Sequence, residues 1–188
     1  MASNFPRSDK DLHSVGATTL QTTPPFCLRS ATYQDREWTF QWRNDPWLVS
    51  QSPSGKQVDW EDHTCWFSEV LDTELHLLLI VESQDGTGMG TVRLDKTGRD
   101  RAIIAISLLR PYVGKGLGVA VLGAACAAGF AQWPWLASVH AYIRKDNQRS
   151  LRAFKKAGFT PILRKKEASF SLSEMVLRRS ISGEARHE

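Results

Sequence analysis

The sequence predicts a single-domain α/β fold: a mixed, mostly antiparallel six- to seven-stranded sheet with helices on both faces. Three observations support this prediction. The chain has 188 residues, which is enough for one domain with a sizeable hydrophobic core and too short for two ordinary domains. Apolar runs of strand length and amphipathic runs of helix length follow one another in the order β-α-α-β-β-β-α-β-α-β-β. Glycine turns separate the three consecutive strands in the middle, which indicates two adjacent antiparallel hairpins.

The chain begins and ends with segments that carry no periodic apolar pattern. We expect a flexible polar tail at 1–25, the domain at 26–180 and a second tail at 181–188. The three cysteines lie far apart without a Cys-x-x-Cys pair, which gives no sign of a zinc site or a disulfide framework. No apolar run is long enough to cross a bilayer. These features predict a cytoplasmic protein that binds no metal and no membrane.

The composition is that of a globular protein with a mild positive charge. Apolar residues make up 41% of the chain, charged residues 23%, and the net charge is +4. The basic residues are spread along the sequence, which favours an enzyme with phosphate-bearing ligands over a nucleic-acid binder. We therefore expect no nucleic-acid partner.

One strand and two helices are predicted before the central strands. The strand begins at Phe26. The first helix spans about 35–44, with Asp35 as its N-cap, and Pro46 ends it because the residue before a proline avoids helical backbone angles. The second helix begins after Asp59, which is also a suitable N-cap. The apolar face of this helix comprises Trp60, His63, Trp66, Phe67 and Val70.

The central strands are expected at 75–82, 89–94 and 102–109. A helix of small and apolar residues follows at 119–132, where small side chains allow a helix to approach a sheet closely. The remaining predicted elements are a strand at 139–144, a helix at 147–156, and two final strands at 160–166 and 170–177.

Three glycines within five residues join the third central strand to the small-residue helix. The segment reads Gly114-Lys115-Gly116-Leu117-Gly118. A helix N-terminus presents unpaired backbone N–H groups, and glycine lets a phosphate approach them without an intervening side chain. The spacing does not fit a Walker-type P-loop, and the preceding antiparallel strands do not fit a dinucleotide fold. The segment therefore predicts a pyrophosphate cradle of another kind.

Two motifs resemble those of the GCN5-related N-acetyltransferase (GNAT) family. Pro111–Gly116 matches the glycines of the family's [RQ]-x-x-G-x-[GA] pyrophosphate loop, while Pro111 and Val113 replace the usual polar residues. Asn147–Phe159 is similar to the family's N-x-x-[SA]-x-x-x-[YF]-x-K-x-G-F helix. The resemblance covers about 26–179 and implies the GNAT fold.

The resemblance implies that acetyl-CoA is the co-substrate and that a primary amine attacks its thioester directly in a ternary complex, without an enzyme nucleophile or a metal. The residues that it implies for acetyl-CoA binding are Leu108, Leu109, Val113, Gly114, Lys115, Gly116, Leu117, Gly118, Asn147, Ser150 and Phe154. Phe154 stands where many relatives carry a proton-donating tyrosine. A non-catalytic acyl-CoA-binding module therefore stays open as an alternative.

The candidate catalytic residues lie on the strand at 139–144. By alternation His140 and Tyr142 project from the same face. By resemblance, Tyr142 stands at about the position where many relatives carry a glutamate base. We expect both side chains near the reacting centre, and the alternative for His140 is an edge or surface position.

The acceptor side resembles the sugar-nucleotide N-acetyltransferases of pseudaminic acid synthesis and flagellin modification. The residues that carry this resemblance are Trp42, Arg43, Asn44 and His63. Aromatic faces stack on a sugar or uracil, and Arg43 can bind a diphosphate bidentately. The alternatives are that Trp42 packs its helix on the sheet and that His63 is a hydrogen-bonded core residue. We expect a small-molecule amine acceptor, with a protein N-terminus or a polyamine as the alternative, and a monomer or homodimer.

Overall fold

The structure is a computed structural model that describes residues 25–52, 54–162 and 171–180. Its strands are β1 (Cys27–Ser30), β2 (His76–Glu82), β3 (Gly88–Lys96), β4 (Arg101–Leu108), β5 (Ser138–Arg144), β6 (Thr160–Pro161) and β7 (Leu172–Arg178). Its α-helices are α1 (Arg36–Arg43), α2 (Pro46–Gln51), α3 (Trp60–Asp72), α4 (Leu117–Gln132) and α5 (Gln148–Lys156).

Within the described residues, all seven strands form one sheet in the order β1-β2-β3-β4-β5-β7-β6. Neighbouring strands run antiparallel except for β4 and β5, which are parallel because α4 carries the chain back across the sheet between them. The predicted mixed and mostly antiparallel sheet is confirmed.

Helices cover both faces of this sheet, as predicted. On the side that we call the α3 face, Phe67 of α3 packs against Leu78 and Ile80 of β2. α4 and α5 pack on the opposite side, which we call the α4 face. A Cβ added at Gly129 of α4 would lie 2.6 Å from a side-chain carbon of Leu94 in β3. The small residues of α4 thus allow the close approach that the sequence predicted.

A short helix, α2, follows the predicted stop of α1 and was not expected from the sequence. The Asp45 carboxylate accepts hydrogen bonds from the backbone N–H groups of Trp47 and Leu48 at 2.9 and 3.0 Å. Pro46 fits the first turn of α2, because the N–H groups of a first turn have no acceptor within the helix and proline therefore loses no hydrogen bond there. The same residues that end α1 therefore start α2.

The carboxylates of the two predicted N-cap residues, Asp59 and Asp35, make different hydrogen bonds. Asp59 caps α3, because its carboxylate accepts a hydrogen bond from the Asp62 N–H at 2.8 Å. Asp35 stands at the N-cap position of α1, as predicted, but its buried carboxylate makes no capping bond to that helix. It accepts from the Thr32 N–H at 2.7 Å and from the Arg29 guanidinium at 2.7 and 2.8 Å. This ion pair holds the pKa of the Asp35 carboxyl below its usual range.

Residues 1–24 and 181–188, which contain nearly all of the two predicted tails, lie outside the described residues. Residues 163–170 lie outside them as well, and they include most of the strand predicted at 160–166. Thr160–Pro161 pairs with β7, so that strand begins where it was predicted.

β4 and β5 are paired only where both strands begin. Arg101–Ile103 pairs with Ser138–His140, after which β4 runs on to Leu108 and β5 to Arg144. β3 and β7 stay paired with the outer edges of these continuing segments. The two halves of the sheet therefore separate and leave a gap beside the N-terminus of α4.

Candidate functional site

A cavity of about 540 Å³ occupies the gap between β4 and β5, and we call it the interstrand cavity. Ile104, Ile106 and Leu108 line it and pack towards α4. Ala105 and Ser107, which point to the α3 face by alternation, line it as well. The cavity therefore reaches both faces of the sheet through the gap.

The glycine loop lines the interstrand cavity at the N-terminus of α4. Gly114 and Gly116 have φ angles of +83° and +80°, in the left-handed region that favours glycine. Gly116 is the N-cap of α4, and no side chain of the described residues caps this helix. A Cβ added at either glycine would meet no atom within 4 Å. The first N–H groups of α4 thus lie beside an open surface that suits a phosphate.

The predicted loop residues occupy different environments. Those that line the cavity are Leu108, Val113, Gly114, Gly116 and Gly118. Leu117 is 8% exposed and packs into the core below the loop, while Lys115 is exposed. The N–H of Leu109 donates to the Met89 carbonyl at 2.9 Å, which extends the pairing of β4 with β3.

The three predicted residues of the α5 segment also line the interstrand cavity. The Asn147 side-chain oxygen accepts a hydrogen bond from the Ser150 N–H at 3.0 Å, so Asn147 is the N-cap of α5. Phe154 is 3% exposed and packs edge-on against Phe159, with ring centroids 4.9 Å apart. A buried phenyl group at this position contributes apolar surface and cannot donate a proton.

Basic side chains of α5 line the cavity and were missed in the sequence analysis. They are Arg149, Arg152 and Lys156. The spacings of three and four residues place them on one side of the helix, and this pattern could have identified them. Their charges add to that of Lys115 in the glycine loop, where Pro111 and Val113 supply none.

A second cavity, of about 570 Å³, lies on the α3 face, and we call it the aromatic cavity. Its walls come from α1, α2, α3, the loop residues Ser52, Ser54 and Val58, and the α3 face of β2, β3 and β4. Trp42, Arg43 and His63, predicted to contact the acceptor, all line it, together with Trp66 and Arg93.

Two arginines on the wall of the aromatic cavity differ in their partners. Arg43 donates from Nη2 to Ser54 Oγ at 3.2 Å, whereas its buried Nη1 has no hydrogen-bond partner among the described residues. Arg93 pairs with Asp95 at 2.8 Å and lies 5.1 Å from the centroid of the Trp66 ring. A buried unpaired donor is costly, so Arg43 suits a ligand that brings an acceptor to Nη1.

His63 is enclosed by aromatic rings, although one side of it reaches the aromatic cavity. Its ring lies 5.4 Å from those of Phe40 and Trp66 and 5.7 Å from that of Phe67. Nε2 lies 3.0 Å from the carbonyl oxygen of Arg36, which can only accept, so Nε2 carries the proton. Burial lowers the pKa of His63, which keeps the ring neutral near pH 7. This is the hydrogen-bonded core histidine that the sequence analysis gave as the alternative.

Asn44 holds a wall of the aromatic cavity in place. Its Nδ2 donates to the Val58 carbonyl at 2.8 Å, and its Oδ1 accepts from the Val58 N–H at 2.9 Å. Both ends of the amide are thus bonded to the segment that follows α2. Asn44 is not among the residues that line the aromatic cavity, and its contact with the acceptor stays a prediction.

The two cavities meet at β4 and α2. Leu48, Ser52, Ala105 and Ser107 line both of them. A ligand that enters through the sheet and a ligand on the α3 face can therefore come into contact at this junction.

The sequence profile of the acetyltransferase (GNAT) domain family matches residues 26–160. The chain belongs to this family. It is an N-acetyltransferase that takes its acetyl group from acetyl-CoA. A search of curated protein sequences returned no significant match.

Solved structures with the same fold include acetyltransferases of small amines. The spermidine N-acetyltransferase of Vibrio cholerae, solved with CoA and spermine, superposes with a TM-score of 0.71 at 15% identity, covering 83% of this chain and 96% of that one. The aminoglycoside acetyltransferase AAC(6')-Ib, solved with coenzyme A and kanamycin, superposes with a TM-score of 0.69 at 20% identity, covering 82% and 95%. At these identities the likeness extends to the fold.

The predicted catalytic residues of this GNAT domain lie side by side on β5. Tyr142 lines the interstrand cavity and is 37% exposed. His140 is 9% exposed, so the edge or surface position considered for it is wrong. Its Nδ1 lies 3.0 Å from Glu174 of β7 and its Nε2 lies 3.2 Å from Ser138 Oγ. Burial lowers the pKa of His140, so Nδ1 of the neutral ring donates to the carboxylate.

Two features are absent from the part of the chain that the structure describes. No three His, Cys, Asp or Glu side chains there are grouped closely enough to hold a metal ion. None of its helices combines the length and the apolar character needed to cross a bilayer.

Proposed function

We propose that the protein transfers the acetyl group of acetyl-CoA, bound in the interstrand cavity, to a primary amine held in the aromatic cavity. The observation that carries this proposal is the junction at Leu48, Ser52, Ala105 and Ser107, which both cavities share. Direct attack requires amine and thioester to be in contact in one ternary complex, and the junction allows this contact.

Acetyl-CoA binds through backbone N–H groups at its pyrophosphate and through basic side chains at its adenosine end. The pyrophosphate lies on the N–H groups at Gly114–Gly118, and the pantetheine arm passes between β4 and β5. Arg149, Arg152 and Lys156 carry positive charge along the cavity and attract the phosphates of the adenosine end. Asn147 and Ser150 contact the donor from the first turn of α5.

The acceptor is an amine that also carries an anionic group, and a nucleotide-linked amino sugar fits this description. The unpaired Nη1 of Arg43 can donate to a phosphate oxygen, and a charge-assisted bond of this kind is stronger than a neutral one. The faces of Trp42 and Trp66 offer stacking surface for a sugar or a base. Arg43 and Arg93 together disfavour a polyamine, since Asp62 is the one carboxylate among the described residues that line this cavity.

Release of free CoA thiol from acetyl-CoA tests this proposal with panels of UDP-linked amino sugars, the same amino sugars without nucleotide, polyamines and peptides. We expect turnover with a UDP-linked amino sugar, and a higher KM for the free sugar because Arg43 then lacks its anionic partner. Turnover confined to polyamines or to peptides would contradict the proposed acceptor. Tight CoA binding without turnover of any amine would favour a binding module.

A further inference from the structure

Three hydrogen-bonding groups converge on one carboxylate oxygen at the edge of the interstrand cavity. Glu174 Oε1 lies 3.0 Å from His140 Nδ1, 3.1 Å from Arg101 Nη2 and 3.2 Å from Tyr142 Oη. Arg101 Nη2 also donates to Tyr142 Oη at 2.5 Å. The Tyr142 hydroxyl thus accepts from a guanidinium and donates to a carboxylate, which defines its position and orientation.

The sheet register places Tyr142 beside a residue that lines both cavities. Ile103 and His140 form the last parallel pair of β4 and β5. Two residues further along each strand stand Ala105 and Tyr142, both directed to the α3 face. Ala105 lines both cavities, and Tyr142 faces it across the gap.

The other tyrosine that lines the interstrand cavity stands elsewhere. Tyr112 belongs to the short turn Arg110–Tyr112 just before the glycine loop, at the phosphate end of the site. Tyr142 is therefore the tyrosine that the register places beside Ala105, and its side chain is partly exposed in the interstrand cavity.

We propose that Tyr142 is the proton-transfer residue of this acetyltransferase, and that Arg101 and Glu174 are its positioning residues. The amine nitrogen bonds to the acetyl carbon and its proton passes to Tyr142 Oη. The C–S bond breaks, and the original phenolic proton leaves its hydrogen bond to Glu174 and passes to the CoA sulfur. Starting from the neutral amine, the products are the amide and the free thiol, and Tyr142 returns to its starting state. An ammonium form first loses its extra proton to solvent.

The surrounding charges support such a shuttle. The Arg101 guanidinium stabilises negative charge on Tyr142 Oη whenever the proton is nearer to the sulfur. Glu174 holds both the guanidinium and the hydroxyl in place, and neutral His140 donates a hydrogen bond to the same Glu174 carboxylate. Arg178 also lies near His140 and lowers its pKa, which keeps the imidazole uncharged.

This inference rests on the proposed function, so the test uses the best amine of the panel described above. In Tyr142→Phe we expect kcat to fall by about 100-fold or more, the size typical of general acid–base catalysis, while the acetyl-CoA affinity measured by calorimetry stays within about 2-fold. Tyr33→Phe is the matched control, since Tyr33 is an exposed tyrosine whose hydroxyl donates to Asp72 at 2.5 Å and which lines neither cavity. This control should retain full activity.

The positioning role is tested by substituting Arg101 in two backgrounds. We expect Arg101→Met to lower kcat more than Arg101→Lys, because lysine keeps a cation near Tyr142 Oη, and we expect neither change to lower kcat further in Tyr142→Phe. Glu174→Gln should lower kcat less than Tyr142→Phe, since the amide oxygen can still accept from the hydroxyl.

A Tyr142→Phe enzyme that keeps kcat within about 3-fold of wild type would overturn the shuttle and leave the proposed function standing. Additive effects of the Arg101 and Tyr142 changes would overturn the positioning role. A wild-type protein that turns over no amine would overturn both the proposed function and this inference.

Discussion

The two cavities of this acetyltransferase are similar in size and differ in what builds them. The interstrand cavity contains a backbone cradle, made of a glycine loop and a helix N-terminus that no side chain of the described residues caps, between the separated ends of two strands. The aromatic cavity is formed by side chains from helices, a loop and three strands that lie far apart in the sequence. Backbone geometry suits a constant ligand such as acetyl-CoA, whereas side chains can change with the acceptor while the fold is kept.

This contrast explains why the donor was easier to infer than the acceptor. A phosphate cradle requires glycines at fixed spacing next to a helix, and these residues are contiguous in the chain. The acceptor surface has no such local requirement. The contrast also predicts that substitutions on the donor side act through backbone angles, and that those on the acceptor side act through single side chains.

The largest effect is expected for Gly116→Val. At a φ of +80° a β-branched residue is strained, so the loop must move and the N–H groups lose their arrangement. We expect acetyl-CoA affinity, measured by calorimetry, to fall by about 100-fold or more while the circular dichroism spectrum stays that of a folded protein.

Gly86→Val is the matched control for the glycine loop. Gly86 lies in the turn between β2 and β3 with a φ of +83°, and a Cβ added there also meets no atom within 4 Å. It should lower the melting temperature through the same strain and leave acetyl-CoA affinity unchanged. Unchanged affinity in Gly116→Val would show that the loop does not bind the donor.

An intermediate effect is expected for Arg43→Met, which tests the side-chain control of the aromatic cavity. Loss of a charge-assisted hydrogen bond should raise the KM for an anionic acceptor by about 10- to 100-fold, with the KM for acetyl-CoA unchanged. Arg36 lies on the same helix, and its guanidinium lies over the Trp60 ring. Arg36→Met should leave the KM for the acceptor and the KM for acetyl-CoA unchanged. Equal effects of the two substitutions would indicate a general charge effect rather than a contact at Arg43.

The smallest effect is expected for Asn147, where capping and donor binding coincide. Asn147→Ala removes the N-cap of α5 and should lower the free energy of unfolding by about 1 kcal/mol, a fall of about 2–4 °C in melting temperature. Asn147→Ser keeps a capping oxygen and should retain wild-type stability. If the serine variant also binds acetyl-CoA normally, Asn147 contributes to the donor site only as the cap.

Local patterns were sufficient to predict most of the fold. The alternation of apolar runs and the glycine turns at Gly86 and Gly98 predicted the hairpins, and the small residues of α4 predicted its close approach to the sheet. The helix α2 was not predicted, because a proline that ends one helix can equally open the next. The ion pair of Asp35 was not predicted, because its partner Arg29 lies on β1, outside the helix that Asp35 precedes.

The site divides in the same way. The sequence by itself determined the donor: the glycine loop at Gly114–Gly118 and the capped helix at Asn147 are contiguous patterns, and their chemistry follows from local backbone geometry. Only the tertiary structure decided that β4 and β5 separate after three residue pairs and that this gap joins the aromatic cavity. It also placed Glu174 beside Tyr142 and Arg101, since pairing between strands brings together residues that no local pattern connects.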